Sequence, residues 1–376
     1  MISFDFQPRT RIIFGPNRVD QLGTLAGEMG TRRALVVSDP GIVKAGHTER
    51  GIKSLKKAGI ESFLFSDVHE NPSTDDVDRG LKFALRHEPE LIVGLGGGSS
   101  MDCAKGINFV YTNGGTMHDY WGVGKALKEM LPMIAIPTTA GTGSETQSFA
   151  LISDAKSHVK MACGDKKASF RAAILDPTLT VTQPDRVTAL TGIDAIAHAI
   201  ETYVTKPRNS VSLSFSREAW RLLAKNFIKV LREPSNLEAR GEMQLGACFA
   251  GMAIENSMLG AAHALANPLT AKYGIVHGQA VGLMLPHVVR FNGEQFGDWY
   301  VELAGVSAGA SDVESLAKLV TSFLTESGLA IKLSDLNVDR NLIPQLAEAA
   351  SEQWTGNFNP RPVDPQSLQR VYEAAF

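Results

Sequence analysis

Short apolar runs that end in a turn and lead into a helical pattern recur through the first half of the chain. The clearest are Arg33–Asp39, Leu91–Leu95 and Met133–Ile136, each built around aliphatic or β-branched residues. Strands without alternating polar residues are typical of parallel sheets that helices cover on both faces. The repeat therefore predicts an α/β domain. The segment before it, Ser3–Phe14, is predicted to form a β-hairpin.

The second half of the chain has a different periodicity. From Val187 onward, apolar residues recur at i, i+3 and i+4, as in Phe215–Leu231 and Asp312–Leu324. That spacing places them on one face of a helix. Because 376 residues exceed what a single core usually holds, two domains are predicted. The α/β domain is expected over residues 1–183 and an all-helical domain over residues 184–376.

The amino-acid composition of the chain limits the kinds of molecule that we expect it to bind. The chain has 37 Lys and Arg against 40 Asp and Glu, so it lacks the basic excess that nucleic acids and anionic membranes attract, and a small-molecule partner is expected. Its three cysteines are an odd number, which favours a reducing compartment. The N-terminus lacks the pattern of a secretory signal, and the most apolar long stretch, Gly246–Pro268, contains Glu255 and His263. No membrane span is expected, and the cytoplasm is the predicted location.

A glycine-rich turn follows the second predicted strand. Gly96-Gly97-Gly98-Ser99 lies between that strand and a helix start, where backbone N–H groups and the helix dipole favour a phosphate. The sequence fails the Rossmann fingerprint at its last position. Either a phosphate cradle or a plain structural turn is compatible with these residues.

Two other segments are predicted to lie at the same edge of the sheet. Pro137–Glu145 is a loop of small polar residues after the third strand, and Asp39 ends the first strand. Loops at the carboxyl ends of parallel strands line the ligand crevice, where a carboxylate that binds ribose hydroxyls favours NAD over NADP. The alternatives are local capping bonds in the loop and a turn initiated by Asp39.

The helical half contains a set of residues typical of metal ligands. Asp194 and His198 are four residues apart, so they share one face of a helix, and their Ile- and Ala-rich surroundings make unpaired polar groups costly. His263 and His277 also lie among small apolar residues. One Asp and three His suit Fe²⁺, Zn²⁺, Co²⁺ or Mn²⁺. A simple hydrogen-bonded pair of Asp194 and His198 is the alternative.

Several ordered motifs extend along nearly the whole chain. They are Phe14-Gly15, Val36–Gly41, Gly96–Lys105, Pro137–Glu145, Asp194-x-x-x-His198-x-x-Glu201, His263 and Tyr273–Gly278. With these motifs in register, the chain resembles the iron-containing alcohol dehydrogenase family.

The resemblance implies a dehydroquinate synthase-like fold, with an α/β dinucleotide-binding domain followed by an all-α metal-binding and substrate domain. It implies a homodimer in which Asp194, His198, His263 and His277 hold Fe²⁺, or alternatively Zn²⁺. It also implies that a set of loop and strand residues contacts NAD: Asp39, Asn71, Gly97, Gly98, Ser99, Asp102, Thr138, Thr139, Thr142, Phe149 and Lys160.

One position departs from the pattern of the family. Relatives often have a second His four residues after His263, near the substrate and able to relay a proton, whereas this chain has Asn267 there. Because Asn does not exchange a proton near neutral pH, either a bound water or ribose hydroxyl carries the proton or the substrate preference differs.

The residues and the resemblance together predict reversible hydride transfer between nicotinamide C4 and a small alcohol or aldehyde bound to the metal. Two alternatives are a zinc-dependent polyol dehydrogenase of the glycerol type and a non-catalytic protein that binds NAD or metal. A phosphorylated substrate is disfavoured, because the segments around His198 and His263 contain no Lys or Arg.

Overall fold

The structure is a computed structural model that describes residues 3–307 and 309–376. The chain divides into two compact units. Within the described residues, the α/β unit comprises Gln7–Thr139 and Ser144–Gln183, and the helical unit comprises residues 3–6, Ala140–Gly143 and Pro184–Phe376. The domain division at residues 183 and 184 stays a prediction, and by their contacts residues 140–143 group with the helices.

Two sheets form the frame of the α/β unit. The larger has six strands, all parallel, in the order β1-β9-β6-β4-β2-β3, and the smaller has the order β5-β8-β7. The strands are β1 (Arg11–Phe14), β2 (Arg33–Val37), β3 (Glu61–Phe65), β4 (Leu91–Gly96), β5 (Gly122–Val123), β6 (Met133–Pro137), β7 (Phe149–Ser153), β8 (Lys160–Gly164) and β9 (Ala172–Leu175). The central strands β4 and β6 are buried along their whole length, as their continuous apolar sequences require.

The predicted hairpin over Ser3–Phe14 is wrong. Residues 3–10 form no strand, and β1 pairs in parallel with β9, about 160 residues further along the chain. Only Arg11–Phe14 forms a strand, and its hydrogen-bond partner is remote in sequence.

Five α-helices connect the strands of the large sheet: α1 (Leu22–Glu28), α2 (Pro40–Lys44), α3 (His47–Lys57), α4 (Thr74–His87) and α5 (Gly98–Asn113). Local sequence sets several of their starts. The side chain of Asp39 accepts hydrogen bonds from the first turn of α2, and Ser73 with Asp76 forms a capping box at α4.

A buried lysine holds the loop that follows β6. Lys105, in α5, is fully buried, and its ammonium donates to the carbonyl oxygens of Ser144 (2.8 Å) and Phe149 (2.7 Å) and to Ser144 Oγ (2.9 Å). Ser144 Oγ donates to Asp102 Oδ1 over 2.7 Å. Because a buried charge is costly without such partners, this cluster ties residues 144–149 to α5.

The helical unit consists of eight α-helices within the described residues: α6 (Asp185–Val204), α7 (Ser210–Arg232), α8 (Leu237–Ser257), α9 (Ala261–Tyr273), α10 (His277–Ala304), α11 (Val313–Glu326), α12 (Ile343–Ser351) and α13 (Pro365–Ala374). The all-helical prediction is confirmed. Helix α6 is almost wholly buried, since it packs against α7, α8 and α10. A Cβ at Gly192 would lie 2.7 Å from the Phe227 ring, so α6 and α7 approach closely only because this residue is glycine.

The short segment Ala140–Gly143 packs within the helical unit. A Cβ at Gly141 would lie 2.6 Å from Cβ of Thr191, and one at Gly143 would lie 2.6 Å from Cα of Gly251. Gly143 also has φ +64°, a conformation that favours glycine. None of the helices in the described residues is long and apolar enough to cross a membrane.

Glu145 provides a pH test of the cluster around Lys105. Burial raises the pKa of this carboxyl to about 7, although the charge of Lys105 opposes the shift. The folded-state pKa therefore exceeds the ordinary value of 4.5, so stability falls as pH rises through the window between these two values.

Glu145→Gln removes this ionisation. We compare the free energy of unfolding of the variant with that of the wild type at each pH. The difference in favour of the variant should be about 1–3 kcal/mol larger at about pH 8 than at about pH 5.5. Thermal unfolding midpoints at both pH values measure the gain, with the exposed Glu129→Gln as the control. An equal difference between variant and wild type at both pH values would contradict the assignment.

Candidate metal and dinucleotide sites

Three histidines surround one carboxylate in the helical unit. Asp194 and His198 lie one turn apart on α6, and the His198 Nε2 atom is 3.5 Å from Asp194 Oδ1. His263, near the start of α9, places its Nε2 atom 3.5 Å from the same oxygen, and His277, the first residue of α10, places its Nε2 atom 3.9 Å away. The structure thus brings all four predicted residues together around Asp194 Oδ1.

The donor atoms of this cluster fit a divalent cation. Asp194, His263 and His277 offer ligand atoms that all lie within 4.8 Å of one another. Asp194 Oδ1 and His263 Nε2 are buried, and none of the described residues gives either atom a hydrogen bond. Since buried polar atoms are normally satisfied, two such atoms facing each other indicate a missing partner that binds both. An O/N set of this kind suits iron or zinc.

The electrostatics of the cluster favour an ionised carboxylate. Burial alone would raise the pKa of Asp194, but His198, His263 and His277 hold it well below its usual range. Burial lowers the pKa of His198. Burial acts in the same direction on His263, but the carboxylates of Glu201 and Asp194 outweigh it and raise the pKa of His263 to about 9. The cluster is therefore a buried site that attracts positive charge.

Glu201 also belongs to this cluster, although it was not among the predicted site residues. It lies on α6 two turns after Asp194, is 3% exposed and contacts His263 Nδ1 through Oε2. Its Oε1 atom accepts a hydrogen bond from the backbone N of Ala262 over 2.7 Å. The signal available in the sequence was a Glu in the i+7 position from Asp194, on a helix segment otherwise rich in Ala and Ile.

Asn267 lies on α9 one turn after His263, so the two share one face of the helix. Its side chain is half-buried, and its Nδ2 atom donates to Gln353 Oε1 over 2.9 Å. Gln353 in turn donates from Nε2 to the Ala349 carbonyl over 3.3 Å. The position predicted to lie near the substrate is therefore occupied by a neutral pair of amide side chains.

In the α/β unit, the glycine turn connects β4 directly to α5. Gly96 has φ +155°, and a Cβ there would lie 2.4 Å from Ser100 Oγ, so only glycine fits. Gly97 precedes the first residue of α5 and contributes no side-chain cap, which leaves the N-terminal N–H groups of the helix without side-chain acceptors from this position. This geometry suits a phosphate.

Asp39 lies next to that turn and also caps α2. Its Oδ1 atom accepts hydrogen bonds from Gly41 N (2.9 Å) and Ile42 N (3.1 Å), which is the local role considered as the alternative. Its Oδ2 atom accepts from Ser100 Oγ over 3.3 Å and would lie 3.2 Å from a Cβ at Gly96. The cap and a position beside the glycine turn therefore coexist.

Other predicted cofactor residues follow the carboxyl ends of neighbouring strands. Asn71 lies in the segment after β3 and donates from its backbone N to Ser99 Oγ over 3.2 Å, with φ +53°. Thr138 follows β6 and donates from its backbone N to the Gly96 carbonyl over 3.0 Å. Its buried Oγ1 atom has no hydrogen-bond partner among the described residues, which fits a hydroxyl that binds a ligand. Of the other members of this group, Gly97 precedes α5, Gly98 and Ser99 are its first residues, and Thr139 follows Thr138.

The remaining predicted cofactor residues are more scattered. Asp102 is on α5, where burial raises the pKa of its carboxyl against the opposing charge of Lys105. Phe149 and Lys160 begin β7 and β8, which pair antiparallel, so they lie at opposite ends of that pair of strands. Thr142 groups with the helical unit. Sequence reasoning also missed Lys105, whose importance depends on contacts with a loop about 40 residues away.

Comparisons with known proteins agree with this picture along the whole chain. The family model for iron-containing alcohol dehydrogenase matches residues 8–177, and the model for the C-terminal part of the Fe-containing alcohol dehydrogenase family matches residues 188–376. A 1,3-propanediol dehydrogenase of Klebsiella pneumoniae is 34% identical over 383 residues, which cover 99% of each chain.

Two solved structures are also similar. A crystal structure of 1,3-propanediol oxidoreductase has a TM-score of 0.96 at 32% identity and covers 100% of both chains. The crystal structure of sulfoacetaldehyde reductase from Bifidobacterium kashiwanohense, in complex with NAD⁺, has a TM-score of 0.92 at 30% identity and covers 100% of this chain and 99% of that one.

The predicted fold class is confirmed, and so is the prediction of an NAD-linked, metal-dependent oxidoreductase at the level of the family. With both halves matched by family models and relatives more than 30% identical over nearly its full length, this chain belongs to the iron-containing alcohol dehydrogenase family.

Proposed function

We propose that this chain is an NAD(H)-linked alcohol dehydrogenase and aldehyde reductase whose divalent metal, Fe²⁺ or alternatively Zn²⁺, is held by Asp194, His198, His263 and His277. The observation that carries this proposal is the buried, unsatisfied Oδ1 atom of Asp194 with three imidazole nitrogens within 3.9 Å. When bound, the metal supplies a Lewis acid that stabilises negative charge on the oxygen of the alcohol or aldehyde.

The residues of the helical unit prepare that site. Asp194 provides a full negative charge that burial keeps away from competing water, and the imidazoles add neutral nitrogen donors. The small residues on either side of His263, Ala262 and Ala264, are fully buried, so this part of α9 is closely packed. These side chains bind and orient, while the hydride itself belongs to the nicotinamide.

The residues of the α/β unit are proposed to bind the dinucleotide. The turn at Gly96–Gly98 and the start of α5 suit the pyrophosphate, and Asp39 suits the hydroxyls of the adenosine ribose. The buried hydroxyl of Thr138 supports the assignment, since it lacks a partner among the described residues. The cluster around Lys105 holds Asp102 and Phe149 near these loops.

We propose a small, uncharged alcohol or aldehyde as the substrate. The amide pair of Asn267 and Gln353 offers neutral donors and acceptors on the His263 face of α9, and it supplies no positive charge for a phosphate or a carboxylate. Because Asn267 does not exchange protons near neutral pH, a water or a ribose hydroxyl is proposed to relay the proton. A zinc-dependent polyol dehydrogenase remains the second candidate, since a neutral amide pair also suits additional hydroxyl groups.

The compartment and the assembly are also proposals. The three cysteines, Cys103, Cys163 and Cys248, are all buried, and an odd number cannot pair completely within one chain, which supports the cytoplasm. A homodimer is supported by exposed aromatic side chains near the N-terminus: Phe4 is 51% exposed, and Phe14, on the edge strand β1, is 42% exposed. Exposed edge strands and aromatic side chains favour association with a second copy.

Metal dependence is the first test. We expect protein stripped with a chelator to lose turnover of NADH with small aldehydes and to regain it after anaerobic reloading with Fe²⁺ or with Zn²⁺. His277→Ala should retain the fold, bind less metal and keep below about 1% of activity. His287→Ala, a half-buried position on the same helix, is the control. Full activity of metal-free protein would defeat the proposal.

Asp39→Asn tests cofactor choice. Because Asn caps helices as well as Asp does, this change keeps the start of α2 while it removes the charge that repels a 2′-phosphate. We expect kcat/KM with NADPH to rise about 5-fold to 10-fold relative to NADH. The control is the exposed Asp78→Asn. An unchanged ratio of the two cofactors would show that Asp39 only caps the helix.

The proposed homodimer is tested by measuring the oligomeric state in solution. Sedimentation equilibrium should give about twice the chain mass of 40.5 kDa, and Phe14→Ser should shift the equilibrium toward the monomer. Leu85→Ser, on α4 and 58% exposed, provides a control for loss of an exposed apolar side chain. A monomeric wild type contradicts this proposal without affecting the proposed activity.

A further inference from the structure

We infer that Glu201 is a positioning residue that fixes the imidazole of His263 with its Nε2 lone pair directed at the metal. This inference rests on the proposed function, because it concerns the same metal site. It goes beyond the ligand set itself, since Glu201 contacts the ligand His263 and a backbone N–H group.

Glu201 is buried where it contacts two parts of α9. It is 3% exposed and lies on α6, the helix that also carries Asp194 and His198. Its two oxygens have different partners, the backbone N of Ala262 and the Nδ1 atom of His263. A single carboxylate on α6 thus contacts both the backbone of α9 and the side chain that α9 contributes to the site.

The start of α9 is capped by side chains from other parts of the chain. Gly260, which precedes the helix, has no side chain to cap it. Its first-turn N–H groups instead donate to side chains from elsewhere, with Ala261 N bound to Asn359 Oδ1 (3.2 Å) and Ala262 N bound to Glu201 Oε1 (2.7 Å). A carboxylate at a helix N-terminus is also stabilised by the helix dipole. Glu201 therefore fixes the position of α9 as well as the ring of His263.

The contact with Glu201 determines which ring nitrogen of His263 carries hydrogen. An ionised carboxylate only accepts hydrogen bonds, so Nδ1 of His263 must donate to Glu201. In the neutral ring this leaves Nε2 without hydrogen, and that atom lies 3.5 Å from Asp194 Oδ1. Metal-binding histidines commonly donate from their other nitrogen to a carboxylate in this way, and loss of that partner weakens metal binding.

Glu201→Gln separates this role from simple packing, because the amide keeps the size of the carboxyl group. In the variant, the amide has only one oxygen that can accept a hydrogen bond, whereas Ala262 N–H and His263 Nδ1–H both need an acceptor. The backbone donor is fixed, so the amide NH₂ should face His263 and move the ring hydrogen to Nε2, which then no longer binds metal.

The experiment uses the full-length protein and Zn²⁺ alone as the probe, titrated in competition with a chromophoric chelator. We expect Glu201→Gln to bind Zn²⁺ about 10-fold to 100-fold more weakly than the wild type. The NADH affinity and the near-UV circular dichroism spectrum of the metal-free protein, which reports the packing of the fold, should both match the wild type. Glu302→Gln, which changes an exposed carboxylate of α10 that pairs with Arg217, is the matched control.

Unchanged Zn²⁺ affinity in Glu201→Gln overturns the inference. A loss of affinity that is accompanied by a changed near-UV spectrum of the metal-free protein also overturns it, because Glu201 would then act only through the fold. Failure of the wild type to bind any divalent ion is a different result, which refutes the proposed function itself.

A measurement on the wild type keeps the inference testable if the variant does not fold. Selective ¹⁵N labelling of the histidine rings in the Zn²⁺-loaded protein reports which nitrogen of His263 carries hydrogen. We expect a protonated Nδ1 and a metal-bound Nε2. Metal bound through Nδ1 overturns the assignment of Glu201.

Discussion

A carboxylate buried in an apolar helix is the constraint on which the helical unit depends. Asp194 lies on a helix that is buried along almost its whole length, and removing a charge from water is costly unless other groups compensate. Three imidazoles from α6, α9 and α10 gather around its Oδ1 atom. The close packing at Gly192 and the capping of α9 by side chains from other elements hold that geometry, so helix packing and ligand geometry are parts of one arrangement.

Much of this arrangement could be predicted from local sequence. The i, i+4 spacing of Asp194 and His198 and the glycine turn after β4 depend on periodicity and backbone sterics, which a single sequence shows directly. The partner of β1 and the role of Glu201 could not be predicted in this way. β1 pairs with a strand about 160 residues away, and Glu201 contacts a histidine 62 residues further along the chain. No local pattern specifies such contacts.

The side chain of Asp39 caps α2 and also lies beside the glycine turn. Capping of α2 uses Oδ1, whereas Oδ2 lies beside the glycine turn and accepts from Ser100. The cap fixes the rotamer of the side chain, and so it also determines where the second oxygen points. Lys105 also has two effects, because its charge opposes the rise that burial causes in the pKa of Asp102 and Glu145 while its ammonium holds the loop after β6.

The packing of Ala140–Gly143 with the helical unit limits how the two halves of this protein can be separated. These four residues belong by their contacts to the helical unit, although both flanking segments belong to the α/β unit. Gly141 and Gly143 approach Thr191 and Gly251 so closely that neither glycine tolerates a side chain. A gene fragment that ended at the boundary after residue 183 would encode this segment without its packing partners. Exchange of the helical half for that of another protein would therefore have to preserve the close approach of Gly141 and Gly143.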